Sequence, residues 1–243
     1  MNTVKVKSEK VRFIAHRGLS GIETENTCPA FVAAGNRSYY GVEADVHITK
    51  DGKFVIIHDD TTERITLGKY NINVEENDYF AIEKIVLPDL DKTTERKDIR
   101  IPLLSEYIRI CQKYGKICVL EIKNHFDEQS LKKLISEIYE AGYLKYVIFI
   151  SFDFESCVNV RRLLPENAVQ WLIKKQEINS DLMNRLCENN LDADIYYKKL
   201  NAENVKLMHL RGIRVNCWTC DDKIEAERLI SYGVDFITTN ILE

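Results

Sequence analysis

From residue 127 onward the chain alternates between helical and strand-like hydrophobic spacing so regularly that few folds can accommodate it. Asp127 opens a stretch with Leu131, Leu134, Ile135 and Ile138 on one helical face, closed by Gly142, and residues 146–151 follow as a short apolar run. Asp153 opens the next helix, with Cys157, Val160 and Leu164 inward and a stop at Pro165; a strand follows over 168–173. Ser180 begins a helix through Leu186, then comes a strand over 192–196. Asn201 caps a helix through Val205 and Met208 to Gly212, before a strand over 213–218. Asp221 caps the last helix, through Leu229 and Ile230 to Gly233, and residues 234–238 form the last strand. Asp, Asn or Ser at the starts and Gly past the ends is the asymmetry that helix caps require. The runs are short, apolar and bounded, as strands buried on both faces must be.

With earlier runs included, strand centres fall at Phe13, Val42, Val119, Ile148, Val169, Ile195, Val215 and Phe236. Eight strands with helices between them predict a (β/α)8 TIM barrel, and 243 residues matches the roughly 250 that such a barrel needs. An open doubly wound sheet is the alternative. It wants a glycine-rich loop after the first strand, where only Gly18 and Gly21 occur. Thr49-Lys50-Asp51-Gly52-Lys53 is a turn signal between two β-like runs. It predicts a hairpin rising from the second strand, whose return arm brings His58 beside Asp45. Residues 60–100 lack a period and read as a small inserted lid within one catalytic domain spanning 1–243.

The ionisable residues gather where this architecture puts chemistry, at the C-terminal ends of strands. His16 and Arg17 end the first strand, Glu43 and Asp45 the second, and His58 the hairpin. Glu121 and Lys123 end the third, Ser151 and Phe152 the fourth, and Trp218 the seventh. Residues two apart in a strand share a face, so Glu43 and Asp45 project side by side as oxygen ligands for a hard cation. A barrel strand has no edge, so two acids buried there are costly unless paired or metal-bound. Two histidines, an arginine and a dicarboxylate suggest acid–base chemistry on an anionic, metal-bound substrate. His47 is expected on the hairpin exterior and His209 on a helix surface.

A net charge of −4 gives no basic excess for coating nucleic acid. No apolar run reaches the roughly 18 residues of a membrane span, so no stable membrane insertion is expected. The first ten residues carry no signal-peptide core, and seven cysteines is an odd count for a disulfide framework. The expected compartment is therefore cytoplasmic. Cys217 and Cys220 form one CxxC with no second Cys/His pair, and read as strand cysteines rather than a redox pair or zinc site. A homo-oligomer stays open.

Ala15-His16-Arg17-Gly18, Glu25-Asn26-Thr27, Gly41-Val42-Glu43-Ala44-Asp45-Val46, Thr49-Lys50-Asp51-Gly52 and His58-Asp59 occur in one order, followed by Ile101-Pro102-Leu103, Glu121-Ile122-Lys123, Ser151-Phe152, Trp218-Thr219 and Thr238-Thr239-Asn240. In these motifs the chain resembles the glycerophosphodiester phosphodiesterase family, from Phe13 to Asn240. The resemblance implies a barrel that hydrolyses glycerophosphodiesters to an alcohol and glycerol 3-phosphate. It implies a divalent cation (Mg²⁺, Ca²⁺ or Mn²⁺) on Glu43, Asp45 and Glu121, His16 and His58 as the acid–base pair, and phosphate contacts from Arg17 and Lys123. Ser151, Phe152 and Trp218 are candidate substrate contacts. The sequence departs from the family at Asn240-Ile241, where Asp and Pro are usual, and no full eighth helix follows, so the N-terminal decapeptide or a partner subunit is expected to cover that side. The rival reading on the same scaffold is a lysophospholipase D or phosphoinositide-type phosphodiesterase, which an apolar ridge at Tyr79–Ile82 and Ile85–Leu87 would favour. A non-catalytic phospho-ligand barrel would require loss of a ligand or histidine, and none is lost.

Overall fold

The computed structural model describes residues 2–243. Its strands in chain order are β1 (Arg12–Ala15), β2 (Gly41–Ile48), β3 (Phe54–Ile56), β4 (Ile117–Ile122), β5 (Val147–Ser151), β6 (Ala168–Ile173), β7 (Asp192–Tyr196), β8 (Val215–Trp218) and β9 (Phe236–Thr239). The helices are α1 (Cys28–Gly35), α2 (Leu104–Tyr114), α3 (Glu128–Glu140), α4 (Phe154–Leu163), α5 (Ser180–Glu188), α6 (Ala202–Leu210) and α7 (Lys223–Tyr232). All strands except β3 pair in parallel, in the ring β1-β9-β8-β7-β6-β5-β4-β2, and β2 closes back on β1. This is a (β/α)8 TIM barrel.

Period-two alternation sorts the side chains into two cores. Ile14, Val119, Ile148, Ile150, Leu172 and Phe236 fill the barrel interior. The alternate residues, among them Val42, Ala44, Leu120, Phe149 and Ile195, pack outward against helix residues such as Phe31, Leu131, Leu186 and Leu229. Both faces of every barrel strand are therefore buried, which is why the strands read as nearly continuous apolar runs.

β3 runs antiparallel to β2, with Val46 opposite Ile56 and Ile48 opposite Phe54. The turn between them is held by Thr49, whose hydroxyl donates to Asp51 Oδ1 (2.6 Å) and accepts from the Lys53 N–H (2.9 Å). The insertion that follows has its own core of Val74, Ile82, Ile85, Leu87, Ile99 and Ile101, packed with Val55 and Ile57. It is pinned to the loop after β1 by Arg64 on Glu25 and Arg96 on Glu23. Most of its apolar ridge is consumed as core, whereas Phe80 and Leu90 are exposed.

Past β9 the chain pairs with its N-terminal segment: Val4 N–H donates to Ile241 C=O, Glu243 N–H to Val4 C=O, and Val6 N–H to Glu243 C=O. Val6 and Val11 are buried in the outer core. The N-terminal segment thus packs beside the residues that follow β9. The Glu243 carboxylate accepts hydrogen bonds from Thr3, from Ser38 N–H and from the Ser38 hydroxyl, and pairs with Lys5. One cap differs from expectation. Asp222, not Asp221, caps α7, because Asp221 is bound to Thr239 and Asn240.

Candidate active site

At the end of β1 the backbone turns through two left-handed residues, Arg17 (φ 53°) and Gly18 (φ 75°). The bend aims the Arg17 N–H at Glu43 Oε2, 2.7 Å away. Gly18 is required twice over: its φ is positive, and a Cβ there would lie 2.7 Å from the backbone carbonyl carbon of Ala30. Asn26, also left-handed at φ 54°, donates its N–H to Arg17 C=O and its amide to Asp45 Oδ2 (2.7 Å). Two of the six non-glycine residues at positive φ among the described residues are thus in the loop that faces the acids.

Glu43, Asp45 and Glu121 present carboxylate oxygens that lie within 4.8 Å of one another, all buried. β2 and β4 pair with Asp45 opposite Glu121, so the register itself assembles the cluster. Lys123 Nζ sits 2.7 Å from Glu121 Oε1 and 3.5 Å from Asp45 Oδ1, and Arg17 Nε is 3.5 Å from Asp45 Oδ2. Burial and then the Asp45 charge push the Glu43 and Glu121 carboxyls above the ordinary range. Burial acts the same way on Asp45, but Lys123, Arg17, His58 and the Asn26 amide outweigh it and hold its pKa far below normal. Two atoms here are buried without a hydrogen-bond partner, Asp45 Oδ1 and Arg17 Nε. A free carboxylate oxygen amid three acids fits a hard cation, and a free guanidinium N–H beside it fits an anion.

The histidines flank this cluster and are held differently. His16 Nδ1 lies 2.8 Å from Asn240 Oδ1, an amide oxygen that also accepts from the Ser20 hydroxyl, while the Asn240 NH₂ donates to Asp221. An amide oxygen can only accept, so Nδ1 of His16 carries the proton and Nε2 is free as an acceptor, 4.0 Å from Glu43 Oε2. Burial, then the Arg17 charge, lowers the His16 pKa to about 4. His58 Nδ1 is instead 2.5 Å from the Asp59 carboxylate, which Arg64 of the insertion also binds. Burial lowers the His58 pKa as well, against Asp45 and Asp59, which raise it. His47 is not on the hairpin exterior. It extends the Glu43–Asp45 face past the barrel rim, where the insertion buries it with Nδ1 2.8 Å from Glu75 Oε1 and Nε2 3.4 Å from His58 C=O. His209 is exposed and pairs with Asp235.

His16, Arg17, Glu43, His58 and Glu121 share one cavity with Ile150, Phe152, Leu172, Asp194, Trp218, Thr219 and Thr238, ≈ 410 Å³ counting the part open to solvent. Phe152 meets the Trp218 ring edge-on at 5.4 Å, and Tyr196 continues the aromatic wall at 5.8 Å. Of the three candidate contacts, Phe152 and Trp218 therefore reach the cavity and Ser151 does not. Ser151 points outward from β5 and donates its hydroxyl to Ile122 C=O at 2.8 Å. Strand parity excludes having both Ser151 and Phe152 inside. Cys217 and Cys220 are buried and unpaired. Glu25, Asn26, Asp59, Asp194 and Asn240 are site residues that the sequence reading did not single out as such. For Asn26, an Asn in a turn that needs positive φ was the available signal.

Comparison with known proteins agrees with this geometry. The model of the glycerophosphoryl diester phosphodiesterase family matches residues 16–243. A glycerophosphodiester phosphodiesterase of Caldanaerobacter subterraneus subsp. tengcongensis is 31% identical over 235 residues, covering 95% of this chain and 94% of that one. One from Bacillus subtilis is 27% identical over 252 residues, covering 96% and 84%. An Oleispira antarctica phosphodiesterase, solved in complex with the product sn-glycerol-3-phosphate, superposes with a TM-score of 0.82 at 26% identity, covering 98% of this chain and 96% of that one.

Proposed function

The chain belongs to the glycerophosphoryl diester phosphodiesterase family, and we propose that it hydrolyses glycerophosphodiesters to an alcohol and glycerol 3-phosphate with a divalent cation and two histidines. The observation that carries this reading is the buried Glu43–Asp45–Glu121 cluster, braced by Lys123, with His16, His58 and Arg17 lining the same cavity as Glu43 and Glu121. The relative solved with sn-glycerol-3-phosphate supports the substrate class.

Glu43, Asp45 and Glu121 would hold the cation, and all-oxygen ligation suits Mg²⁺, Ca²⁺ or Mn²⁺. When bound, such an ion supplies neutralisation of the phosphate charge. Three carboxylates against Arg17 and Lys123 leave one negative charge in the cluster. With a divalent ion held there the cluster would carry one positive charge, which a phosphodiester monoanion would neutralise. Arg17, with its unpartnered Nε, and Lys123 grip the phosphate oxygens. His16 is the base: Asn240 fixes its tautomer, so Nε2 offers a lone pair to the attacking hydroxyl. His58 is the acid: an arriving anion favours its charged form, the Asp59 carboxylate stabilises the imidazolium, and Nε2–H protonates the leaving oxygen. The attacking hydroxyl is the glycerol 2-OH, giving a cyclic phosphate that water then opens.

We take residues 60–100 as a small lid of the single catalytic domain, since Arg64 connects the segment to both Asp59 and Glu25. No helix of the described residues is long and apolar enough to cross a membrane. Seven unpaired cysteines fit the reducing cytoplasm. The test is a panel of glycerophosphodiesters assayed for glycerol 3-phosphate release after chelation, then with Mg²⁺, Ca²⁺ or Mn²⁺ restored. Release that returns with a cation is expected; full activity in excess chelator would overturn the metal assignment.

A further inference from the structure

Asp194 is a buried titratable group that the steps above leave without a task. It lies mid-strand in β7, four places round the ring from β2 in either direction, so it faces Glu43 and Asp45 across the barrel. It is 1% exposed, forms no salt bridge among the described residues, and its Oδ1 has no hydrogen-bond partner. Asn216, opposite Asp194 on β8, is the one neighbour whose side chain favours the charged carboxylate by a hydrogen bond, but its amide also donates to Gln170 Oε1 (3.2 Å), and Thr238 donates to Asn216 Oδ1 (3.3 Å).

A carboxyl with one oxygen unsatisfied in a barrel interior is destabilising, and on the β6 side its interior neighbour Leu172, like Ile150 beyond it, is apolar. Asp194 nevertheless lines the cavity that holds His16, Glu43 and Glu121. A ligand gripped by its phosphate at Arg17 and Lys123, with its carbon chain crossing the barrel, slides along Ile150, Leu172 and Trp218 and meets one free acceptor on the far side.

We propose that Asp194 accepts a hydrogen bond from the terminal hydroxyl of the glycerol arm, and so makes the site selective for glycerol over simple diols. This rests on the function proposed above. With the 2-hydroxyl committed beside the phosphorus, the terminal carbon is the part of glycerol that reaches furthest from the phosphate. Burial, and then the Glu121 charge, push the Asp194 carboxyl above the ordinary range. In either protonation state an oxygen remains to accept.

The test pairs a substrate change with a side-chain change. Diesters of glycerol and of propane-1,2-diol differ only in the terminal hydroxyl, and both keep the vicinal one. The native enzyme should prefer the glycerol diester in kcat/KM by about 10- to 100-fold, as loss of a hydrogen bond to a buried carboxyl implies. Asp194→Ala should bring that ratio close to one, chiefly through KM, and weaken glycerol 3-phosphate binding in calorimetry, whereas Asp194→Asn, which keeps an acceptor oxygen, should retain part of the preference. Asp194→Ala should melt higher than the native protein, by about 3 °C or more, because an unsatisfied buried group is gone. No preference in the native enzyme would overturn the proposal, as would variants that keep the full ratio or lose both substrates equally with a lowered Tm. A native protein that neither cleaves the glycerol diester nor binds glycerol 3-phosphate would instead overturn the function on which the proposal rests.

Discussion

Removing one charge from the acidic cluster should change how strongly a divalent cation stabilises the fold. At 4.8 Å, the outer separation of the Glu43, Asp45 and Glu121 oxygens, two like charges repel by about 3 kcal/mol at an effective dielectric constant near 20. Part of this is offset without a cation, because burial and the Asp45 and Glu121 charges push the Glu43 carboxyl above its usual range and so disfavour its charged form. Glu43→Gln keeps the shape and an amide oxygen for the Arg17 N–H. In excess chelator the two proteins should therefore melt within about 2 °C of each other, with the variant the equal or higher of the two. A cation at about 100 times its Kd adds about 2.7 kcal/mol to a protein that binds it only when folded. For a chain of this size that is about 5–10 °C in Tm. Native protein should show the full rise on addition of Mg²⁺, Ca²⁺ or Mn²⁺, and Glu43→Gln less than about a third of it, so the order of stability reverses between the two buffers. Differential scanning calorimetry reads this without any substrate. Equal gains in both proteins, or a variant already several degrees lower in chelator, would refute the reasoning.

His16→Ala and His58→Ala should each lower kcat by about 10²- to 10⁴-fold with an unchanged melting profile, and the double variant should fall far short of the product of the two, as steady-state kinetics would show. A substrate lacking the glycerol 2-hydroxyl should bind without being cleaved, and phosphorus NMR of the normal reaction should reveal a transient cyclic phosphate; normal turnover of the deoxy compound would point to direct attack by water. Burial raises the Glu243 carboxyl, but hydrogen bonds from Ser38, Thr3 and Lys5 outweigh it and hold its pKa at about 2, against 4.5 unfolded. Because the folded pKa is the lower, its stabilisation, up to about 3 kcal/mol, is complete above pH 4.5 and lost as pH falls toward 2; urea midpoints at pH 7 and pH 3 should converge for native protein and Glu243→Gln. Gly18→Ala should destabilise by more than Gly142→Ala, since both have positive φ but only Gly18 would drive a Cβ into backbone, and denaturant titration of the pair measures the difference.

The helices and strands after residue 127 were legible because each strand there is paired on both sides and each helix is capped locally, so neighbour spacing carries the information. The cluster was legible for a related reason: Glu43 and Asp45 share a strand face, and so do Glu121 and Lys123. The same parity distinguishes Phe152 from Ser151. His47 was misplaced because its burial depends on the insertion, which is held by distant pairs such as Arg64 with Glu25 and Arg96 with Glu23 rather than by any period. Asp194 escaped notice for a different reason. In an ordinary half-exposed sheet a polar residue alternating with Ala193 and Ile195 belongs to the solvent face, but in a closed barrel that face is the interior.

The two tryptophans sit in very different places. Trp171 is buried against the edge-on Phe154 ring, over which the Arg185 guanidinium lies, and donates its N–H to Phe152 C=O. Trp218 stands in the cavity wall, donating its N–H to Asp194 C=O, with Phe152 at its edge. The indole of Trp218 is therefore the chromophore whose surroundings change when water in the cavity gives way to carbon chain, while the Trp171 emission stays constant as an internal reference. Trp171→Phe would leave a single tryptophan, which excitation above the tyrosine band addresses alone. Its spectral shift on titration with glycerol 3-phosphate would report occupancy optically, with no label attached and no bond broken.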